Sequence, residues 1–195
     1  REGRKTVDQQ DILDQIEELG DSLALVMLGN CNYLSGQYFD IASIVEKSHS
    51  MGAVCGFNLA HGAGNLLLNL HDDNVDFAVW CTYKYLNSGP GGLAGAFVHE
   101  NHLGQKDLPR FEGWWGTNKG TRFEMQRRFD PIPTMEAWQL SNPPIFQLAS
   151  LRASMNIFDQ ATMPRIRAKG DQLTSYLEFL LKENCAGLFD VTTPE

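Results

Sequence analysis

The stretch DFAVWCTYKYLNSGPGGLAGAFVHE, residues 76–100, decides the fold. It opens on an apolar run, DFAVWCTY (76–83), whose continuous hydrophobicity marks a strand covered on both faces. A glycine-rich turn follows, and its GPGGLA (89–94) formally satisfies the dinucleotide pattern G-x-G-x-x-A. That pattern works only when a helix opens on its last residues, because the helix N-terminus holds the pyrophosphate. Here LAGAFVHE (93–100) runs on as a further strand. No G-x-x-x-x-G-K-[ST] occurs either, which excludes a Walker phosphate loop. The reading is strand, glycine turn, strand, with Lys84 where the first strand ends.

Upstream, helix and strand signals alternate. Thr6 and Gln9 have capping-box spacing ahead of Ile12, Leu13, Ile16 and Leu19, which recur on one helical face, and Gly20 fits a C-cap. SLALVML (22–28) and AVCGF (53–57) read as buried strands, and between them Asp40 caps a helix carrying Ile41, Ile44 and Val45. Helices alternating with such strands imply an α/β fold with a mainly parallel sheet. Downstream, residues 101–144 are loop-rich, with five prolines. Two helices follow, one placing Leu148, Leu151, Met155 and Phe158 at helical spacing, the other carrying Leu173, Tyr176, Leu177, Leu180 and Leu181. They have no strand of their own to cover. Residues 1–150 therefore read as part of a large domain and 151–195 as the beginning of a smaller C-terminal one, incomplete at Glu195.

Composition narrows the function classes. With 195 residues, 43% apolar and 21% charged, the chain can build a globular core and is not disordered. A net charge of −8 argues against nucleic acid as a partner. Arg122, Arg127 and Arg128 cluster, but Glu124 interrupts them, so they read as a solvated face or at most a local anion contact. No run is long and apolar enough to span a membrane, and the N-terminal REGRKTVDQQ lacks a signal-peptide core. Cys31, Cys55, Cys81 and Cys185 form no CxxC pair, and three lie in apolar segments, which suits a reducing, cytoplasmic setting.

In open parallel sheets ligands bind at the carboxyl ends of the strands. Those ends are Gly29-Asn30, the segment 58–61 and Tyr83-Lys84. His61 precedes Gly62-Ala63-Gly64, where backbone can approach a ligand closely, and reads equally as a functional or a satisfied core histidine. A strand-end lysine usually reaches into solvent. Lys84, however, lies between Tyr83 and Tyr85 in a run apolar enough to bury it, and burial makes an amine nucleophilic. The turn behind it leaves room for a bulky planar group, as a Schiff-base lysine requires. His99 and His102 form HExH rather than HExxH, without a third ligand nearby, and read as an exposed turn without metal, as does the polar loop His71-Asp72-Asp73.

CTYKYLNSGPGGLAGAFVHE (81–100) closely resembles the lysine segment of kynureninases, pyridoxal-phosphate enzymes of the aspartate-aminotransferase fold. The likeness continues through NLAHGAGN (58–65), FEGWWG (111–116), TRFEM (121–125) and QLSNPPI (139–145). It implies the large domain of a fold-type I PLP-dependent transferase, with pyridoxal 5'-phosphate as cofactor. It also implies a homodimer that hydrolyses kynurenine or 3-hydroxykynurenine to alanine and the matching anthranilate, in tryptophan catabolism and NAD biosynthesis. By position, Lys84 resembles the lysine that forms the internal aldimine and later shuttles protons. Tyr83 resembles the tyrosine that contacts the cofactor phosphate and assists protonation, and His61 the histidine beside the cofactor. Trp114 and Asn142 match residues that reach the cofactor phosphate and substrate, partly across the dimer interface.

Two positions depart from the family. Asn58 stands where kynureninases carry the aspartate that pairs with the protonated pyridine nitrogen, and Thr117 where relatives often carry a histidine near the substrate. Family chains are roughly twice this long, so the sequence resembles an interior fragment. The alternatives are a non-catalytic or impaired relative that keeps the dimer scaffold, and another PLP enzyme of the same fold.

Overall fold

The structure, a computed structural model, describes residues 5–105 and 107–194. Residues 1–4, which open the N-terminal stretch quoted above, and Glu195, the end of the second-domain assignment, lie outside the described residues. Helix α1 (Gln9–Leu19) turns Ile16 into the core and ends at Gly20, whose φ of 51° no β-branched residue adopts comfortably. The Thr6 capping box does not form, because Gln9 is engaged elsewhere. Its side chain reaches Asp40 O (3.1 Å) and Ser43 Oγ (2.8 Å) and accepts the Asp40 amide (3.1 Å). Those bonds join α1 to α2 (Ile41–Ser50), whose first turn is capped by Asp40 as expected, with the Ser43 amide donating to Oδ2 at 3.0 Å.

Four strands, β1 (Leu25–Gly29), β2 (Val54–Asn58), β3 (Phe77–Cys81) and β4 (Ala94–Val98), form one sheet in the order β1-β2-β3-β4 among the described residues. The first three are parallel, and β4 runs antiparallel to β3. Gly29 pairs with Asn58 and Asn58 with Val79, so the carboxyl ends of the parallel strands share one rim. Residues 82–93 reverse the chain into β4. Gly89 (φ 80°) and Gly91 (φ 75°) serve that reversal, which a β-carbon would strain.

The core sits on one face of the sheet. Val26, Cys55, Phe57 and Ala78 alternate onto that face, where Ile41, Ile44 and Val45 of α2 and Ile16 of α1 cover them. The opposite face is open: Leu25, Met27, Val54 and Val79 are 37–49% exposed. The expectation of strands covered on both faces is thus met on one. Helix α3 (Ile145–Ala161) packs Leu151, Met155 and Phe158 against the core. Helix α4 (Met163–Asn184) leaves Leu173, Tyr176 and Leu177 exposed.

Candidate active site

The rim of the sheet carries a cavity of about 600 Å3 lined by Gly29, Asn58, His61 and Lys84, among others. Each of these is delivered by a strand end. Asn58 is the last residue of β2, and its Oδ1 accepts the Ala60 amide at 3.0 Å, a local turn that steers the chain off the sheet. The following turn places His61, whose carbonyl accepts Asn65 Nδ2 at 3.0 Å. Lys84 lies in the turn after β3. Its Nζ is 3.0 Å from His61 Nε2, although the two are 23 residues apart in sequence.

His61 lies between Tyr33 (ring centroids 6.3 Å apart) and Tyr85 (6.1 Å, edge-on). Burial and then the Lys84 charge lower its pKa from the ordinary imidazole value, which favours the neutral ring. Lys84 is half-buried, but Tyr83 and Tyr85 are 52% and 42% exposed, so the flanking tyrosines do not enclose it as the sequence suggested. The reason is that the apolar run ends as strand at Cys81, and both tyrosines project from the turn beyond it. The neighbouring Cys81 thiol pushes the Tyr83 hydroxyl pKa up.

The Lys84 turn is held from two sides. Thr82 Oγ1 bonds Ser88 Oγ (2.7 Å) and donates to Leu93 O (2.5 Å), closing the loop on itself. From α3, Ser150 Oγ donates to Ser88 O (2.8 Å) and Ser154 Oγ to Leu86 O (2.6 Å). Serines 62 and 68 residues downstream thus satisfy carbonyls of the loop that carries the amine. Their helical spacing of four hid this role in the sequence, because Ser150 and Ser154 flank an apolar stripe and look like its solvent side. Tyr33 was missed too, although it follows the strand end Gly29-Asn30.

Trp114 and Asn142 are not brought to this cavity within one chain. Trp114 lies in a short turn, Trp114–Gly116, edge-on to Phe123 at 5.5 Å, and lines a separate cavity with Thr117. Asn142 is exposed beside Leu93 and Leu140 in another. The HExH segment is not an exposed turn. His99 is buried at 6%, stacks on His71 (4.9 Å) and accepts the Asn101 amide on Nδ1 (3.2 Å). His102 turns back onto Asp76 (2.6 Å), because that carboxylate at the start of β3 needs partners. Arg122 is likewise buried rather than part of a solvated face.

Known proteins resemble the chain over nearly its whole length. The chain is 61% identical over 194 residues to a kynureninase from Myxococcus xanthus (strain DK1622), covering 100% of this chain and 46% of that one. It is 51% identical to a kynureninase from Nematostella vectensis, covering 98% of this chain and 41% of that one. The chain therefore spans about half the length of the curated relatives it matches. Among solved structures it resembles the cysteine desulfurase CsdA from Escherichia coli (TM-score 0.69, 18% identity, 88% of this chain and 42% of that one). It also resembles an alanine–glyoxylate aminotransferase from Nostoc sp. (TM-score 0.66, 15% identity, 91% and 45%). These two likenesses concern the fold, an α/β arrangement with a mostly parallel sheet. The family described as Aminotransferase class-V matches residues 3–191, nearly the whole sequence, and the chain belongs to that family.

Proposed function

We propose that this chain is the lysine-bearing part of a pyridoxal-phosphate-dependent kynureninase, hydrolysing kynurenine or 3-hydroxykynurenine to alanine and an anthranilate. The observation that carries the reading is the Lys84–His61 contact at 3.0 Å on the wall of the strand-end cavity. Identities of 50–61% to kynureninases, against 13–21% to desulfurases, lyases and transaminases of the same fold, favour this activity over other members. They also favour it over an impaired scaffold.

The residues present fit the cofactor. A primary amine borders a cavity of about 600 Å3, which is of ligand size, and an imidazole and an amide stand beside it. When bound, pyridoxal phosphate supplies an aldehyde that takes an amine and a ring that withdraws electrons. Lys84 is the nucleophile and the proton carrier in this reading, and neutral His61 orients its Nζ. Tyr83 stands one residue away with an exposed hydroxyl for the phosphate and for proton transfer.

Asn58 accepts from Ala60 through Oδ1, which leaves its Nδ2 as the group that would meet the cofactor's ring nitrogen. A donor suits an unprotonated pyridine, so the electron sink would be weaker than with a carboxylate. Trp114 and Asn142 act on the cofactor of a second copy in this reading, and their distance from the Lys84 cavity supports a homodimer. The free cysteines support a cytoplasmic setting. Residues 1–150 and 151–195 remain our division into a large domain and the start of a small one.

Two experiments on the full-length natural polypeptide test this. Borohydride reduction in the presence of pyridoxal phosphate is expected to tag Lys84 by peptide mass spectrometry; a tag on another lysine refutes the assignment. Asn58→Asp is expected to raise turnover of kynurenine, each 1.4 kcal/mol of added support giving about tenfold. A rate unchanged by that substitution removes Asn58 from the electronics of the ring.

A further inference from the structure

The turn that carries His61 is held from three directions. Its backbone first closes on itself. Leu59 O accepts the Gly62 and Ala63 amides, each at 2.9 Å, and Gly62 O accepts those of Asn65 (3.0 Å) and Leu66 (2.8 Å). Gly62 then lies against the Asn30 side chain beyond the end of β1, and Gly64 against Tyr85 and Leu86 of the Lys84 turn. A β-carbon on Gly64 (φ 79°) would fall 2.8 Å from Leu86 Cδ2, so the two turns meet this closely only through glycine.

The third hold comes from α4. Asn65 Nδ2 donates to His61 O at 3.0 Å, which leaves Oδ1 of the same amide as an acceptor. Arg167 Nη1, 102 residues downstream, donates to that Oδ1 (3.4 Å) and to Asn65 O (3.3 Å), so one cation grips the residue twice. The guanidinium is aimed in turn by Asp171, one helical turn along α4, whose Oδ1 accepts Nε at 2.7 Å and also Nη2. The Arg167 side chain is only 25% exposed, which shields the contact from water. Donors and acceptors thus match from Asp171 through Arg167 and Asn65 to the His61 main chain. The His61 ring then meets Lys84 Nζ at 3.0 Å.

We propose that Asn65 and Arg167 are positioning residues for His61, through which the placement of α4 sets where the imidazole holds the Lys84 amine; the inference rests on the lysine-centred reaction above. Neither residue lines the Lys84 cavity, so both act through His61. An amide suits the role because it donates and accepts at once. Leucine of similar size does neither, and aspartate would set a carboxylate oxygen against the His61 carbonyl. Arg167 fixes the amide in the orientation that serves His61. Turned over, its NH2 would face the guanidinium and its oxygen the His61 carbonyl, two pairs of like groups opposed.

The test uses the full-length natural polypeptide with Asn65→Leu and Arg167→Lys, neither of which changes net charge, so a shift at His61 reports geometry. NMR titration of histidine-labelled protein without pyridoxal phosphate is expected to place the His61 pKa higher in both variants, as the ring moves away from Lys84. With pyridoxal phosphate, kynurenine turnover is expected to fall about tenfold in Asn65→Leu with KM within about twofold, since no substrate contact is lost. Adding Arg167→Lys to Asn65→Leu is expected to cost nothing further, because the two act in series. The proposal is overturned by a His61 titration unchanged in either variant, by a loss in the double variant equal to the product of the single losses, or by a loss confined to KM. If Asn65→Leu does not fold, the Arg167→Lys titration decides alone. Failure of the kynureninase reading shows separately, as no turnover by the unmodified polypeptide, and the His61 titration still decides whether α4 positions the ring.

Discussion

At the scale of single residues, the site rests on pairs that neither partner defines alone. His61 is held below its ordinary pKa by burial and by Lys84, so the folded chain binds its proton less readily than the unfolded one. Stability from this group is therefore complete above the ordinary imidazole value and declines as pH falls below it. An NMR titration is expected to place His61 below that value, and Lys84→Met to move it back up; no movement would show that the two groups do not interact. Ser154→Ala removes the buried donor to Leu86 O and is expected to cost about 1–2 kcal/mol in urea unfolding. The Cys55 thiol, pushed up to about 11 chiefly by burial, is expected to resist alkylation until the chain unfolds. Lys84, His61 and Asn58 were legible as strand-end residues because the parallel-sheet rule points to that rim. The serines were not, since nothing local marks a hydroxyl whose acceptor lies more than sixty residues away.

Between elements, one carboxylate joins four segments. Asp76 at the start of β3 accepts the Cys55 amide of β2 (2.7 Å), His49 of α2 (2.8 Å) and His102 of the 100–102 turn (2.6 Å). The His99 amide donates to its carbonyl (2.9 Å). Burial works to raise the Asp76 carboxyl, but the Cys55 amide and the two imidazoles outweigh it and hold the pKa below the ordinary carboxylate value. Asp76 therefore stabilises the fold above that ordinary value, and the contribution is lost as pH drops through the depressed one. Asp76→Ala is expected to lower stability by about 2–4 kcal/mol near neutral pH, with the difference from the unmodified chain shrinking in acid. A constant difference across pH would mean that the loss is one of packing. His102 had looked like part of a surface turn, because its acceptor lies 26 residues away.

For the molecule as a whole, the open sheet face dominates behaviour. Leu25, Met27, Val54 and Val79 present a contiguous apolar surface on three adjacent strands, and β1 is the edge of the sheet. Such a face associates with whatever apolar surface is available. The 195-residue chain expressed alone is expected to elute from size exclusion as large species. Met27→Lys with Val79→Lys is expected to shift it toward the monomer; an unchanged profile would place the association elsewhere. The sequence by itself determined the order of helices and strands, the strand–turn–strand reading around Lys84 and the family, because periodicity, turn residues and motifs are local. Only the tertiary structure decided that Lys84 meets His61, that Asp76 gathers two histidines and that Arg122 is buried. Each of these depends on segments distant in the chain closing on one another, and local patterning carries no record of that.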